Sequence, residues 1–247
     1  MQYIFERHEK KYLISKEQAE DLQKIFSQYM DADKYGEYLV QNIYFDNDNW
    51  DVIRKSTEKP LYKEKMRLRC YDLPNKESKV FFELKKKFDG TVYKRRCAIP
   101  FGDLLFRPVI EIAEQQESQI MKELYFYMMK NMVEEKAYIS YKRKAFNGSE
   151  KSKLRVSFDS DIRFRLDNMN FLNPKLGSLV LPQDKIVLEI KALGAMPLWM
   201  AGLLSEYKIF PVAFSKYGTS YTDFIIKEPL MTSNFIIQTK NEEKISA

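Results

Sequence analysis

The sequence is poor in glycine, histidine and cysteine, and each scarcity removes a class of function. Eight glycines in 247 residues is about 3%, against a usual share near 7%. Neither G-x-x-x-x-G-K-[ST] nor G-x-G-x-x-G occurs, so glycine loops that cradle phosphate are excluded. If this chain binds phosphates, its side chains must do so. His8 is the only histidine, which excludes poly-histidine metal sites and confines any Ser-His or Cys-His chemistry to that residue. Cys70 and Cys97 match no metal or redox spacing and suit a reducing compartment. No apolar run approaches the ~20 residues of a membrane span. The amino terminus, Met1 to Arg7, lacks a basic start followed by an apolar stretch. A cytoplasmic location is expected.

What remains is a globular composition, 45% hydrophobic and 31% charged. It predicts one domain over 1–230 and a polar tail over 231–247. The net charge of +6 is modest, but it is unevenly placed. Between Lys59 and Arg96 stand 13 basic and five acidic residues, and from Glu111 to Glu135 six glutamates face two lysines. Segregation of this kind builds a focused field for an anionic partner.

Ser15-Lys16-Glu17-Gln18 is a capping box and predicts a helix over 15–30. Further helices are expected over 108–133, 198–207 (with Pro197 at the first turn) and 220–226. Period-two alternation predicts strands at 3–13, 38–46, 61–71, 79–87, 92–99, 138–146, 153–165 and 186–193. The pattern is a mostly antiparallel sheet with helices inserted.

Side chains alternate across a strand, so Lys65, Arg67 and Arg69 share one face while Met66, Leu68 and Cys70 share the other. The same split puts Glu83, Lys85 and Lys87 opposite Phe82 and Leu84, and Lys94 and Arg96 opposite Cys97 and Ile99. It also separates Arg155, Ser157 and Asp159 from Leu154, Val156 and Phe158, and Glu189 and Lys191 from Leu188 and Ile190. Arg7, Glu9 and Lys11 share a face near the start. On this polar face cations outnumber anions by roughly three to one. A like pair at ~5 Å costs about 3 kcal/mol at an effective dielectric near 20, so an ordinary solvated face does not account for it, whereas a bound polyanion does. The sheet is then expected to close around a basic lumen with its apolar face covered by helices. Few of the 33 tyrosines and phenylalanines fall on the basic face in this reading, which disfavours nucleic acid bound by stacking. His8 is expected to pack, Lys86 and Arg95 to be solvated or phosphate-rim groups, and Tyr44-Phe45-Asp46 to be structural, with Asp46 ending its strand.

Nine short motifs, taken in order, resemble the polyphosphate polymerase domain of the VTC (vacuolar transporter chaperone) family, within the triphosphate tunnel metalloenzyme superfamily. They are Arg7-x-Glu9-x-Lys11-Tyr12, Tyr44-Phe45-Asp46, Lys65-x-Arg67-x-Arg69, Phe82-Glu83-Leu84-Lys85, Lys94-Arg95-Arg96, Tyr141-x-Arg143-x-Ala145-Phe146, Leu154 to Asp159, Leu188-Glu189-Ile190-Lys191, and Phe214-Ser215-Lys216-Tyr217. No single motif is specific; their joint order is.

The resemblance implies an α+β fold, an eight-stranded antiparallel β-barrel or tunnel with outer helices, binding ATP, triphosphate or polyphosphate. It implies Lys11, Arg67, Arg69, Lys85, Arg143 and Arg155 as catalytic phosphate ligands. Lys65, Lys94, Arg96, Lys191 and Lys216 are expected to hold further phosphates, and Glu189 and Glu9 to hold Mn²⁺ or Mg²⁺. The implied activity is transfer of the ATP γ-phosphate to a polyphosphate chain. Metal-dependent triphosphate hydrolysis and non-catalytic sensing are the alternatives. The hydrolytic branch opens with E-x-E-x-K, and Arg7 replaces the first glutamate here, which favours the polymerase-like branch. The sequence contains no counterpart of the SPX domain or membrane helices of the eukaryotic complexes, so coupling to transport is not expected, and a membrane partner is left open.

Overall fold

Alternating polar and apolar side chains fold into antiparallel strands that join one sheet. The computed structural model describes residues 7–58, 60–89, 91–149 and 153–227. The expected tail at 231–247 and the start of the strand expected at 3–13 lie outside the described residues. In chain order the elements are β1 (Arg7–Ser15), α1 (Lys16–Phe26), β2 (Asp31–Asp46), α2 (Asp51–Thr57), β3 (Tyr62–Tyr71), β4 (Lys79–Phe88) and β5 (Thr91–Pro100). They continue with α3 (Phe101–Leu104), α4 (Val109–Glu114), α5 (Gln119–Asn131), β6 (Glu134–Asn147), β7 (Arg155–Arg165), the short β8 (Ser178–Leu179) and β9 (Lys185–Leu193). The last are α6 (Leu198–Glu206), α7 (Lys216–Ser220) and a π-helical turn, Tyr221–Lys227.

The sheet order is β1-β9-β7-β6-β2-β3-β4-β5, with β8 alongside β7. All of its ladders are antiparallel. The expected closed barrel is not completed by hydrogen bonds. Among the described residues no ladder joins β1 to β5. The outer edge of β1 is taken instead by the segment after α6, where Val212 N–H donates to the Lys11 carbonyl at 2.7 Å and Tyr12 pairs with Pro211. β5 ends the sheet as an exposed strand bearing Lys94, Arg95 and Arg96, charges of the kind that discourage edge-to-edge pairing.

The sheet nevertheless curls around an interior. Lys11 and Lys65, five ladders apart along the sheet, donate to adjacent residues, the Phe214 carbonyl at 3.1 Å and the Ser215 hydroxyl at 3.2 Å. Lys85 on β4 lies close enough to Glu9, Lys191 and Lys11 for each charge to act on it.

Parity decides what each face packs against. Met66, Leu68, Cys70, Phe82 and Leu84 form a core with α4 and α5. Tyr12, Ile14, Val156, Leu188 and Ile190 form a second core with α1 and α6. The apolar face of the sheet is thus covered from outside by helices. A third cluster fills part of the interior, joining Tyr44 and Val187 to Ile53, Tyr217 and Tyr221.

Some boundaries differ from the sequence reading, each for a local reason. The capping box at Ser15 forms, with both reciprocal bonds to Gln18 present. The helix expected over 108–133 is two helices, because Gln115 to Ser118 offer no apolar side chain to either core. β2 begins at Asp31 because a bulge and Gly36, at φ +62°, carry the non-alternating stretch onto β6. The unforeseen α2 is capped at a distance by Asp46, which accepts from Val52 N–H and Ile53 N–H, both at 2.9 Å. Asp46 therefore ends β2, as expected, and also starts the next helix. His8, expected to pack, is exposed. Arg95 is tied to Glu123 of α5 at 2.8 Å, and Lys86 to Glu64 at 3.5 Å.

Candidate functional site

The polar parity of the strands converges on the interior, and its cations come from seven of them. β3 supplies Lys65, Arg67 and Arg69, β4 Lys85, β5 Lys94 and Arg96, β6 Arg143, β7 Arg155, β9 Lys191 and β1 Lys11. Lys216, at the start of α7, reaches in to Asp159 at 2.5 Å. Every strand residue of the expected set therefore has its place on one face of one curled sheet, and Lys216 joins them from α7. Depth separates them. Arg143 and Lys216 have side chains only 12% and 11% exposed, whereas Arg155 and Lys94 are 41% and 40% exposed. Arg155 sits on Asp33 at 3.3 Å, and Lys85 is exposed.

The expected excess of like charge is offset by carboxylates that sequence parity counted but did not assign to partners. Glu83, buried on β4, accepts from Arg67 at 2.7 Å and pairs with Lys94 and Arg96 at 2.7 Å each. Burial pushes its carboxyl up, but Arg67, Arg69 and Lys94 bring it down to about 2. Asp159, also buried, holds Arg143 in a two-bond fork at 2.6 and 2.7 Å and takes Lys216. Glu189 pairs with Lys191 and lies 3.7 Å from Arg143. Against the opposing effect of burial, those two charges hold it well below the usual carboxylate range. Glu9 pairs with Lys11 at 3.6 Å and with Lys191 at 3.7 Å. Charge-assisted bonds of this kind fix long side chains in place, so the cations are ordered before any anion arrives.

Aromatic side chains also occupy the basic face, contrary to the expectation that few would. Tyr44, expected to be structural, lies inside, where its hydroxyl accepts from Arg67 at 3.2 Å; Tyr141 accepts from Arg69 at 3.3 Å. Asn42, register partner of Arg69, accepts from it at 2.9 Å. Burial raises both phenols, yet Arg67 at Tyr44 and Arg143 at Tyr141 bring each below its ordinary value. At Lys65 burial acts with the opposite sign: burial first, then Lys11, Lys63 and Lys85, lower its ammonium to about 8 against a contribution from Tyr44 that raises it. Sequence parity carried the signal for Tyr44 and Tyr141, since each alternates in step with the cations of its own or its paired strand.

Two carboxylates offer themselves to a cation. Glu9 and Glu189 stand on the paired strands β1 and β9 and both take the Lys191 ammonium. Positive charge is thus already gathered by two hard oxygen donors. Among the described residues no group of three or more His, Cys, Asp or Glu side chains is assembled for a metal. A divalent ion here would need phosphate oxygens or water to complete its shell, which is the habit of Mg²⁺.

A family model described as VTC domain matches residues 6–225. No curated protein matches the sequence. Among solved structures, the chain is similar to a Hippeastrum protein, HpAC1, named as an adenylyl cyclase and described as revealing a dominant triphosphatase activity. That likeness has 15% identity and a TM-score of 0.50, covering 85% of this chain and 92% of the other. It is also similar to the PH1819 protein of Pyrococcus horikoshii OT3, at 13% identity and a TM-score of 0.47, over 91% of this chain and 99% of that one. A Vibrio parahaemolyticus protein named as an adenylate cyclase gives 11% identity and a TM-score of 0.46, over 88% and 98%. At 15% identity the likeness to the Hippeastrum protein speaks to the fold alone.

Proposed function

The chain belongs to the VTC domain family, and on that premise we propose that it is a polyphosphate polymerase-like phosphotransferase that moves the γ-phosphate of ATP onto a polyphosphate chain. The observation that carries this reading is the set of cations from seven strands around one interior, with the deep arginines and Lys216 already aimed by a carboxylate, amide or phenol. Phosphoryl transfer passes through a loose transition state that needs alignment and charge neutralisation more than a protein nucleophile. A terminal oxygen of the chain attacks the γ-phosphorus, the bond to the β-phosphate oxygen breaks, and ADP leaves with that oxygen.

In this reading Arg67, Arg69, Arg143 and Lys11 hold the phosphate being transferred, with Lys85 and Arg155 nearer the opening. Arginine forks grip phosphate oxygens in pairs, and lysines add point charge. Lys65, Lys94, Arg96, Lys191 and Lys216 hold the phosphates on either side. Glu189 and Glu9 would hold Mn²⁺ or Mg²⁺, whose chemistry is to neutralise and orient phosphate oxygens. With Glu83 and Asp159 fixing the cations beforehand, little reorganisation is left for the moment of reaction.

Hydrolysis of inorganic triphosphate is the second reading. Glu9 and Glu189 share one cation, and the Hippeastrum protein of similar fold is described by its triphosphatase activity. Incubation with ATP and Mn²⁺, with products resolved by gel, separates the two. Long phosphate chains support the polymerase, orthophosphate alone supports the hydrolase, and neither product from protein that binds triphosphate tightly supports a sensor.

A further inference from the structure

Outward from Arg69 along β3, the next residue on the same face is Tyr71, and the register partner of Arg69 on β4 is Phe81. Tyr38 lies on the same face of β2, paired with Arg143. These three rings form a continuous edge-to-face row. Tyr38 and Tyr71 have centroids 6.0 Å apart at 62°, and Tyr71 and Phe81 6.0 Å apart at 72°. Tyr35 extends the row toward solvent, 6.2 Å from Tyr38. The Arg96 guanidinium lies over the Phe81 ring at 3.8 Å.

Core packing explains only the inner end of this row, where Tyr38 belongs to the third cluster. Neither Tyr71 nor Phe81 belongs to the three buried clusters. Tyr38 is buried, while Tyr71 and Tyr35 are exposed, so the row leads from the interior to the surface. It stands on the cationic face of the sheet, next to Arg69 and Arg96. Burial raises the Tyr71 phenol, but Arg69 and Arg96 bring it below its ordinary value, which places it in the same positive field.

We propose that this row is a nucleobase platform, receiving the base of a purine nucleoside triphosphate whose phosphates lie deeper on Arg67 and Arg69. The inference rests on the triphosphate reading above and adds what the nucleoside half touches. Same-face residues repeat every 6–7 Å or so along a strand, so Tyr71 is one repeat outward of Arg69. An inorganic chain has phosphates for the cations but nothing for the rings. A nucleotide uses both, and a purine presents a larger face for stacking than a pyrimidine.

The test is calorimetric binding of ATP, UTP and tripolyphosphate, with Mg²⁺ throughout, to the wild-type protein and to Tyr71→Leu and Phe81→Leu. Stacking of ~1–3 kcal/mol per base predicts that each variant loses about 5- to 150-fold in ATP affinity while tripolyphosphate affinity changes by less than about twofold. Tyr71→Phe, which keeps the ring, should retain ATP binding. Wild-type protein should prefer ATP to UTP. Equal losses for ATP and tripolyphosphate, or no loss for ATP, overturn the platform and leave the triphosphate reading standing. Equal wild-type affinity for ATP, UTP and tripolyphosphate overturns it too, whether or not the variants fold. If the wild-type protein binds none of the three, the triphosphate reading itself fails and the platform falls with it.

Discussion

Arg143 and Asp159 are register partners across the β6–β7 ladder, and the guanidinium grips the carboxylate in a fork of 2.6 and 2.7 Å bonds. Lys216 shares the same carboxylate at 2.5 Å. One buried anion therefore fixes two cations, one from the sheet and one from α7.

Asp159→Asn leaves both cations without their anion. Removing one partner of a buried ion pair typically costs about 3–5 kcal/mol, which for a domain this size lowers the melting temperature by roughly 6–20 °C. Tripolyphosphate should return more stability to this variant than to the wild type, because it supplies the missing negative charge. A thermal melt with and without tripolyphosphate checks both statements. An unchanged melt would show that the fork contributes nothing to stability.

Lys65 should make triphosphate binding pH-dependent. Its ammonium is lowered from 10.5 to about 8, so the free protein loses this charge as pH rises through 8 and affinity falls there. Lys65→Arg keeps the charge at all such pH values and should flatten the profile. Folding stability responds with the opposite sign. Between about 8 and 10.5 the unfolded chain holds more protons than the native one, so this residue makes stability rise with pH across that window. Affinity titrations of wild type and Lys65→Arg from about pH 7 to pH 9.5 would expose a wrong assignment, since identical slopes rule it out.

Glu189→Gln should abolish turnover with Mn²⁺ while retaining most tripolyphosphate binding. The change removes an anion from a cationic interior and frees Lys191 and Arg143 to meet phosphate. It also removes half of the oxygen pair offered to a divalent ion. Wild-type turnover by the variant at saturating Mn²⁺ would take Glu189 out of the mechanism.

Tripolyphosphate should stabilise the fold far more than sulfate does. Ligand at ~100 times its dissociation constant adds about 2.7 kcal/mol, a rise of roughly 5–11 °C for a domain this size. High salt should erode the shift by screening. Sulfate at matched ionic strength cannot span several strands at once. Arg155→Ala should shrink the shift with little effect on the unliganded protein, because Arg155 is 41% exposed and its ion pair with Asp33 is a long one, at 3.3 Å. Equal shifts from tripolyphosphate and sulfate would reduce the basic face to an ordinary charged surface.

The division of each strand into a basic and an apolar face is determined by the sequence alone. A strand has a period of two, so Lys65, Arg67 and Arg69 had to oppose Met66, Leu68 and Cys70 wherever the strand went. The same logic required helices outside, since the apolar face has no other cover; α1, α4, α5 and α6 provide it. The cap at Ser15 was equally local and equally legible.

Tertiary structure decided what period and spacing do not carry. Which carboxylate meets which cation depends on the register between paired strands, some of them far apart in sequence, as with Glu83 and Arg96 across the β4–β5 hairpin or Lys11 and Glu189 across β1–β9. The helix α2 was hidden because Asp46, which caps it, stands in the preceding strand. The edge of β1 is taken by Pro211 and Val212 rather than by β5. The row Tyr38, Tyr71 and Phe81 comes from three separate strands, and only their pairing puts the rings in contact. Local alternation fixes the direction in which a side chain points. Long-range register fixes what it meets there.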